Sequence, residues 1–266
     1  MDLGLAGRAY AVLGGTRGMG FECVNLLAEE GANIAVIARD PSAQQTQFNK
    51  LAERHGVKIR GFAGDASVAG GAEGAVAAAI ECFGSLDGLA VTNHWMGESR
   101  AFLGIDDAEW DGYFQNCLMA AVRAARVALP HMAAHGGGSL VLTTAYSSRA
   151  PKPRIAAYAA FKAALNNLVK SLMKEYGPAG VRVNAVAPGA IRTGRYDNRL
   201  ADLRRERPDV SIEEAEQIML AKMGLQVALD RIGAPHEVAA MIAFLLSERA
   251  GYVTGLIANV DGGTDY

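Results

Sequence analysis

The sequence predicts an α/β fold, a doubly wound parallel sheet of about seven strands with helices on both faces. Three observations lead there. Short apolar runs that read as buried strands alternate with longer runs of helical pattern along the whole chain. No Pro/Ser-rich linker or charge block interrupts that rhythm, so residues 1–266 read as a single domain. Crossovers between parallel strands are right-handed almost without exception, which makes the doubly wound sheet the leading topology.

The elements follow in order. Arg8 to Leu13 is a first buried strand, followed by a glycine cluster and a helix to about Glu30 that Gly31 stops. Asn33 to Ala38 is the second strand, and Pro41-Ser42 opens the second helix. Val57 to Phe62 is a strand, Ser67 to Phe83 an Ala-rich helix, and Leu86 to Thr92 the fourth strand. A long helix runs from Asp106 to about His135 and ends at Gly136-Gly137-Gly138. Ser139 to Thr144 is a strand, Ile155 to Tyr176 a helix, and Val181 to Ala187 a strand that turns at Pro188-Gly189. Residues 194–232 are charged and weakly patterned, which predicts short helices forming a lid segment. Its run from Leu203 to Glu216 reads as a solvated helix. Pro235 to Glu248 and Leu256 to Val260 are the last helix and strand.

Composition narrows the function classes. Half of the 266 residues are hydrophobic, enough for a large core and against disorder. A formal net charge of −2 gives no electrostatic reason for a nucleic-acid or anionic-membrane partner. Cys23, Cys82 and Cys117 lie far apart and form neither a CxxC pair nor a disulfide framework, so a reduced, cytoplasmic setting is expected. The first residues lack a signal-peptide pattern, and no apolar run is long enough to span a bilayer.

The strongest local signal is Gly14-Gly15-Thr16-Arg17-Gly18-Met19-Gly20, between the first strand and the first helix. Glycine lets backbone pass close to a pyrophosphate, and the helix N-terminus offers free N–H groups and a positive dipole end. Glycines in this strand–turn–helix context read as a dinucleotide site on a Rossmann-type sheet. Sheets that bind NAD end their second strand on an acid that holds the ribose 2′-OH. Here the strand ends Ile37-Ala38-Arg39, and Arg39 with Arg17 suits a 2′-phosphate, favouring NADP (NADPH). Asp40 is the competing reading, if the register slips by two.

Tyr158 and Lys162 are four apart on a predicted helix and share a face. An ammonium near a phenol lowers its pKa, making Tyr158 a candidate proton donor or acceptor near neutral pH. Together these motifs resemble the short-chain dehydrogenase/reductase family over nearly the whole chain. The glycine turn is similar to that family's TGxxxGxG, with Leu13 in place of Thr. Asp65 and Ser67, Asn116, Tyr158-x3-Lys162, Arg182-Val183-Asn184, Pro188-Gly189 with Thr193, and Val260-Asp261-Gly262-Gly263 match in order and spacing.

The resemblance implies roles. Tyr158 protonates a carbonyl oxygen as hydride reaches its carbon. Lys162 lowers the Tyr158 pKa and holds the nicotinamide ribose. Asn116 positions a water that links Lys162 to solvent. The implied cofactor set is Gly14, Thr16, Arg17, Gly18, Met19, Gly20, Arg39, Asp65, Ala66, Asn93, Tyr158, Lys162, Pro188, Gly189, Ile191 and Thr193. The implied substrate is a small or medium ketone or alcohol, and the implied assembly a homotetramer with the long helices at one interface.

Two departures stand out. The family's serine, thirteen residues before the tyrosine, is Ala145 here. Losing one oxyanion donor can cost on the order of 10²–10³ in rate. Thr144 is the preferred replacement. Ser147 or Tyr146, or no replacement at all, are the alternatives. After the fourth strand the family's NNAG becomes Val91-Thr92-Asn93-His94-Trp95, with the register open. Asn93 keeps one amide, while His94 and Trp95 read equally as substrate contacts or as packing.

His131 and His135 have zinc-ligand spacing but lack a third ligand, so no metal site is expected. Cys117 reads as a buried small hydrophobe. The leading function is therefore an NADP-dependent oxidoreductase. A redox-neutral lyase or isomerase on the same scaffold, or a non-catalytic NADP-binding sensor, stay open because of Ala145.

Overall fold

The computed structural model of the chain describes residues 2–264. Its strands are β1 (Ala9–Leu13), β2 (Asn33–Ala38), β3 (Ile59–Ala63), β4 (Gly88–Val91), β5 (Gly138–Thr143), β6 (Val181–Pro188) and β7 (Ile257–Val260). They form one sheet in the order β3-β2-β1-β4-β5-β6-β7, every pairing parallel. The helices are α1 (Gly18–Glu29), α2 (Gln45–His55), α3 (Gly71–Phe83), α4 (Asp107–Tyr113), α5 (Ala120–Ala134), α6 (Ala156–Tyr176), α7 (Gly194–Glu206), α8 (Ile212–Lys222) and α9 (Pro235–Leu246). This is the doubly wound, Rossmann-type sheet that the alternation predicts.

Both faces of the sheet are covered, so its central strands are apolar throughout; all five residues of β1 are buried. Successive side chains enter opposite cores. Ala11 and Leu13 join α3, α5 and α6 in one layer, and Tyr10 and Val12 join α1, α2 and α9 in the other. Alanines carry much of the α3 and α5 contact: Ala72, Ala75, Ala121, Ala124 and Ala128 are all buried, so these helices pack closely on the sheet and on each other.

Among the boundaries that differ from the sequence reading, three bear on the site, and the helix expected over Leu203–Glu216 is broken between Glu206 and Ile212. The third helix starts at Gly71 rather than Ser67, because the Asp65 carboxylate accepts from both the backbone N–H (2.9 Å) and the hydroxyl (2.6 Å) of Ser67. That turn competes with helix at its own residues. The third strand sits two residues later, at Ile59–Ala63, in register with β2. The long helix from Asp106 is interrupted by a π-helical turn, Phe114–Met119, which contains Asn116. Such turns cluster at functional sites and leave no periodic trace in sequence.

The charged segment after β6 folds into α7 and α8. They share a small core of Tyr196, Leu200, Leu203, Met219 and Leu220, with Tyr146 and Ala190 packed against it. A reciprocal cap between Ser211 and Glu214 starts α8. Among the described residues, no helix is long and apolar enough to cross a membrane.

At the start of α9, the Glu237 carboxylate accepts from the Ala234 backbone N–H (2.7 Å) and from both terminal nitrogens of Arg231 (2.8 and 2.6 Å). Arg231 first, and the Ala234 N–H second, hold its pKa at about 2, against an ordinary 4.5. A depressed carboxylate pKa contributes stability above the unfolded value and loses it as pH falls through the folded one. Glu237→Gln is therefore expected to lower the thermal midpoint at pH 7, with the difference from the parent shrinking below pH 4.5 and closing near pH 2. A difference that does not change with pH in a thermal-melt series would contradict this.

Candidate active site

The sheet is parallel, so the turns after β1, β4, β5 and β6 all open on its C-terminal edge, where the strand order reverses between β1 and β4. Two glycines allow the backbones to meet there. A Cβ on Gly14 would lie 2.7 Å from the Asn93 backbone nitrogen, and one on Gly20 would lie 2.3 Å from the Gly14 carbonyl oxygen. Arg17, the N-cap of α1, makes no side-chain capping bond, and the first turn of α1 carries no acid. The N–H groups of Gly18, Met19 and Gly20 are thus presented at an open, positive helix end, and the turn fits a pyrophosphate. Thr16 is half-buried beside them. The segment after β6 closes over this turn: a Cβ on Gly18 would touch the Thr193 methyl at 3.8 Å. Pro188 ends β6, the Gly189 N–H donates to Val260 (3.1 Å), and Ile191 bridges Gly233.

At the end of β2, Arg39 and Asp40 are both exposed. The Asp40 carboxylate accepts from the backbone N–H (3.0 Å) and hydroxyl (2.5 Å) of Ser42, which holds its pKa below the ordinary value. Asp40 thus makes a turn with Ser42 just ahead of α2. Hydrogen bonds from Ser67 lower the Asp65 pKa, with smaller contributions from the charges of Arg39 and Arg123. The neighbouring Ala66 carbonyl accepts from Arg123 (2.9 Å).

Tyr158 lies in the first turn of α6 and Lys162 one turn on; they are 7% and 2% exposed. Lys162 donates to the Thr143 carbonyl at 2.7 Å, and its Nζ sits 5.7 Å from the centre of the Tyr158 ring. Burial pushes the phenol well above the ordinary tyrosine range, with smaller increments from Cys117, Tyr146 and Tyr113, while burial pulls the lysine down. This reverses the expected lowering of the tyrosine. The ammonium lies against the ring and is fixed to Thr143, and desolvation dominates.

Asn116 lies in the π-turn. Its amide donates to Gly112 (2.9 Å), and its carbonyl accepts from the Asn93 amide (2.8 Å).

The hydroxyls near position 145 are distributed differently from expectation. Ala145 packs on Tyr158, with Tyr113, Cys117 and Ala157. Thr144, the next residue in an extended backbone, points the other way and donates to the Val186 carbonyl at 3.1 Å. Ser148 donates to the Ala145 carbonyl (2.6 Å), Tyr146 packs on the α7–α8 core, and the hydroxyl of the buried Ser147 has no partner among the described residues. The structure therefore does not bring Thr144 to Tyr158.

It brings His94 instead. His94 Nδ1 is 3.5 Å from the Tyr158 hydroxyl, with the rings edge-to-face at 5.7 Å. The segment is held on both sides of His94. Asn93 is bonded to Asn116, the Trp95 carbonyl accepts from Cys117 Sγ (3.4 Å), and the Trp95 ring stacks edgewise on Tyr113 at 4.6 Å. Cys117 is buried and burial raises its pKa, as a packing thiol requires. His131 and His135 stack at 4.1 Å on a helix end remote from these residues in the chain, and the His135 ring meets the His131 carbonyl.

Comparisons with known proteins agree with this architecture. The family model described as Enoyl-(Acyl carrier protein) reductase matches residues 14–265. Short-chain reductase protein NovJ of Streptomyces niveus is 34% identical over 95% of this chain and 92% of its own. The L-sorbose reductase of Gluconobacter frateurii, solved with NADPH and L-sorbose, superposes with a TM-score of 0.90 at 30% identity, over 99% of this chain and 98% of its own. A short-chain oxidoreductase of Pseudomonas aeruginosa PAO1 containing an atypical catalytic center superposes at 0.89 with 27% identity, over 98% of both chains.

Because the Thr144 hydroxyl only supplements a Val186 carbonyl already bonded to the Thr144 N–H (2.8 Å), Thr144→Val is expected to cost about 1 kcal/mol of stability. Denaturant unfolding measures this; a loss several times larger would mean that the hydroxyl does more than lock the strand end.

Proposed function

Because the chain belongs to the short-chain dehydrogenase/reductase family, we propose that it is an NADP(H)-dependent oxidoreductase that interconverts a small or medium ketone and its alcohol. One observation carries this reading: Tyr158 and Lys162 are buried together at the same sheet edge on which the glycine turn opens. When bound, the nicotinamide supplies or takes the hydride. Gly18, Met19 and Gly20 would hold the pyrophosphate through backbone N–H groups, Arg17 and Arg39 would face the 2′-phosphate, and Asp65 with Ala66 would border the adenine. The end of β6, from Pro188 through Thr193, closes over the nicotinamide. Support for NADP over NAD comes from the exposed Arg39 at the end of β2.

Tyr158 gives its proton to the carbonyl oxygen. Burial keeps the phenol protonated at neutral pH, which suits that role in the reductive direction. Lys162, fixed by Thr143, lies beside the ring and would meet the nicotinamide ribose. Helices α7 and α8 act as the lid over the substrate. The compact lid favours small and medium substrates, and the L-sorbose bound by the Gluconobacter relative is of that size.

A redox-neutral lyase or isomerase is the second reading. It is favoured by Ala145 and by the commitment of the Thr144 hydroxyl to Val186.

NADPH oxidation against a panel of ketones and aldehydes tests the first reading. Turnover is expected, and Tyr158→Phe should lower kcat by about 10²–10⁴-fold. Tight NADPH binding with no oxidation on any carbonyl would favour the redox-neutral reading. Arg39→Asp is expected to weaken NADPH binding about tenfold or more relative to NADH in a fluorescence titration. A retained preference for NADPH would contradict the NADP assignment.

A further inference from the structure

We infer that His94 is a catalytic residue that donates, at the reacting oxygen, the hydrogen bond that a hydroxyl at position 145 would give. The inference rests on the oxidoreductase reading above and adds to it. Its ground is the pairing of a vacancy with an occupant. Ala145 packs on Tyr158 and carries no polar atom on its side chain. Of the hydroxyls flanking position 145, Thr144 is turned to Val186, Ser148 is turned to the Ala145 carbonyl, and the Tyr146 ring packs on the α7–α8 core. A polar side chain that does meet the phenol is His94, through Nδ1 at 3.5 Å.

This contact is held in place from several sides. Residues 93 and 95, on either side of His94, are tied to the π-turn through the Asn93 amide and the Trp95 carbonyl. The Trp95 ring is wedged between Tyr113 and Gly112, where a Cβ on Gly112 would come within 3.2 Å of the indole. The edge-to-face contact with Tyr158 then fixes the orientation of the imidazole. An ordered ring whose nitrogen faces the phenol, exposed on its other side, stands where a carbonyl oxygen must come to receive the tyrosine proton. Catalytic hydrogen bonds of this length tighten when substrate is drawn between the partners.

The chemistry balances with His94 as a donor only. Hydride from the dihydronicotinamide reaches the carbonyl carbon, the π pair moves to oxygen, and the O–H bond of Tyr158 breaks as its proton joins that oxygen. The carbonyl is reduced, the nicotinamide is oxidised, and water later returns a proton to the phenolate. With its proton on Nδ1, His94 keeps that proton throughout and donates a hydrogen bond to the oxygen as negative charge develops. Donors aimed at developing charge are the groups that lower such barriers.

Two experiments test this on the full-length protein. In the first, kcat and KM for the best carbonyl substrate are compared for the parent, His94→Ala, His94→Ala with Ala145→Ser, and Tyr158→Phe. His94→Ala is expected to lower kcat on the order of 10²-fold with a smaller change in KM, and the added Ala145→Ser to recover about tenfold of it. A histidine that only packs the loop would give a loss that a hydroxyl at 145 does not restore, and that result overturns the inference. So does a His94→Ala kcat within about threefold of the parent while Tyr158→Phe is inactive. If Tyr158→Phe itself turns over normally, the oxidoreductase reading of the site fails, and the inference with it. The second experiment needs no turnover. In the ¹⁵N spectrum of the five histidines, Tyr158→Phe is expected to move the Nδ1 resonance of His94 and leave the other four in place; an unmoved His94 resonance overturns the contact.

Discussion

The site depends on one close approach of backbone at the end of β1. Gly14 runs against Asn93 at the end of β4, and Gly20, in the first turn of α1, runs against Gly14. Only residues without a Cβ permit both contacts, and together they bring the start of α1 and the exit from β4 to the same point. Thr92 completes the junction by donating from both its backbone and its side chain to the Leu13 carbonyl, each at 2.8 Å. From there the β4 exit has little freedom. Asn93 reaches the π-turn, Trp95 packs on Tyr113, and His94 between them meets Tyr158. The helix end that suits a phosphate and the histidine that meets the phenol are thus positioned by the same junction.

Burial sets the chemistry of that phenol. Tyr158 and Lys162 lie within one turn of α6 and are both desolvated, so each is biased toward its neutral form. Lys162 keeps a hydrogen bond to Thr143, which places its nitrogen against the tyrosine ring. The protonated phenol suits a donor, and the reductive direction requires least of it. Any preference among carbonyl substrates then falls to the groups around the phenol, namely His94, Tyr146 and the helices α7 and α8.

Much of this was legible in the sequence, and the gaps have physical causes. The doubly wound parallel sheet follows from alternation and handedness, and the glycine turn and the Tyr158–Lys162 pair are local patterns read at fixed spacing. The preference for Thr144 overlooks the period-2 rule: in an extended backbone it faces opposite to Ala145, and its hydroxyl goes to Val186. The position of His94 was not legible, because it depends on contacts of Asn93 and Trp95 with residues about twenty positions on. The π-turn at Asn116 was hidden for a similar reason, since one extra residue in a helical turn leaves the apolar pattern nearly intact. The sign of the Tyr158 pKa shift was missed because spacing reports that a charge is near but not how deeply the pair is buried.

The central claim is that hydride passes at this sheet edge between a nicotinamide and a carbonyl carbon while Tyr158 serves the oxygen. The most direct measurement is isotope transfer: NADPH deuterated at C4, on each face separately, incubated with the best ketone, and the product alcohol analysed by mass spectrometry. Deuterium at the carbinol carbon from one face only is the predicted result. Product formed without label from either face, or tight NADPH binding with no alcohol at all, would contradict it.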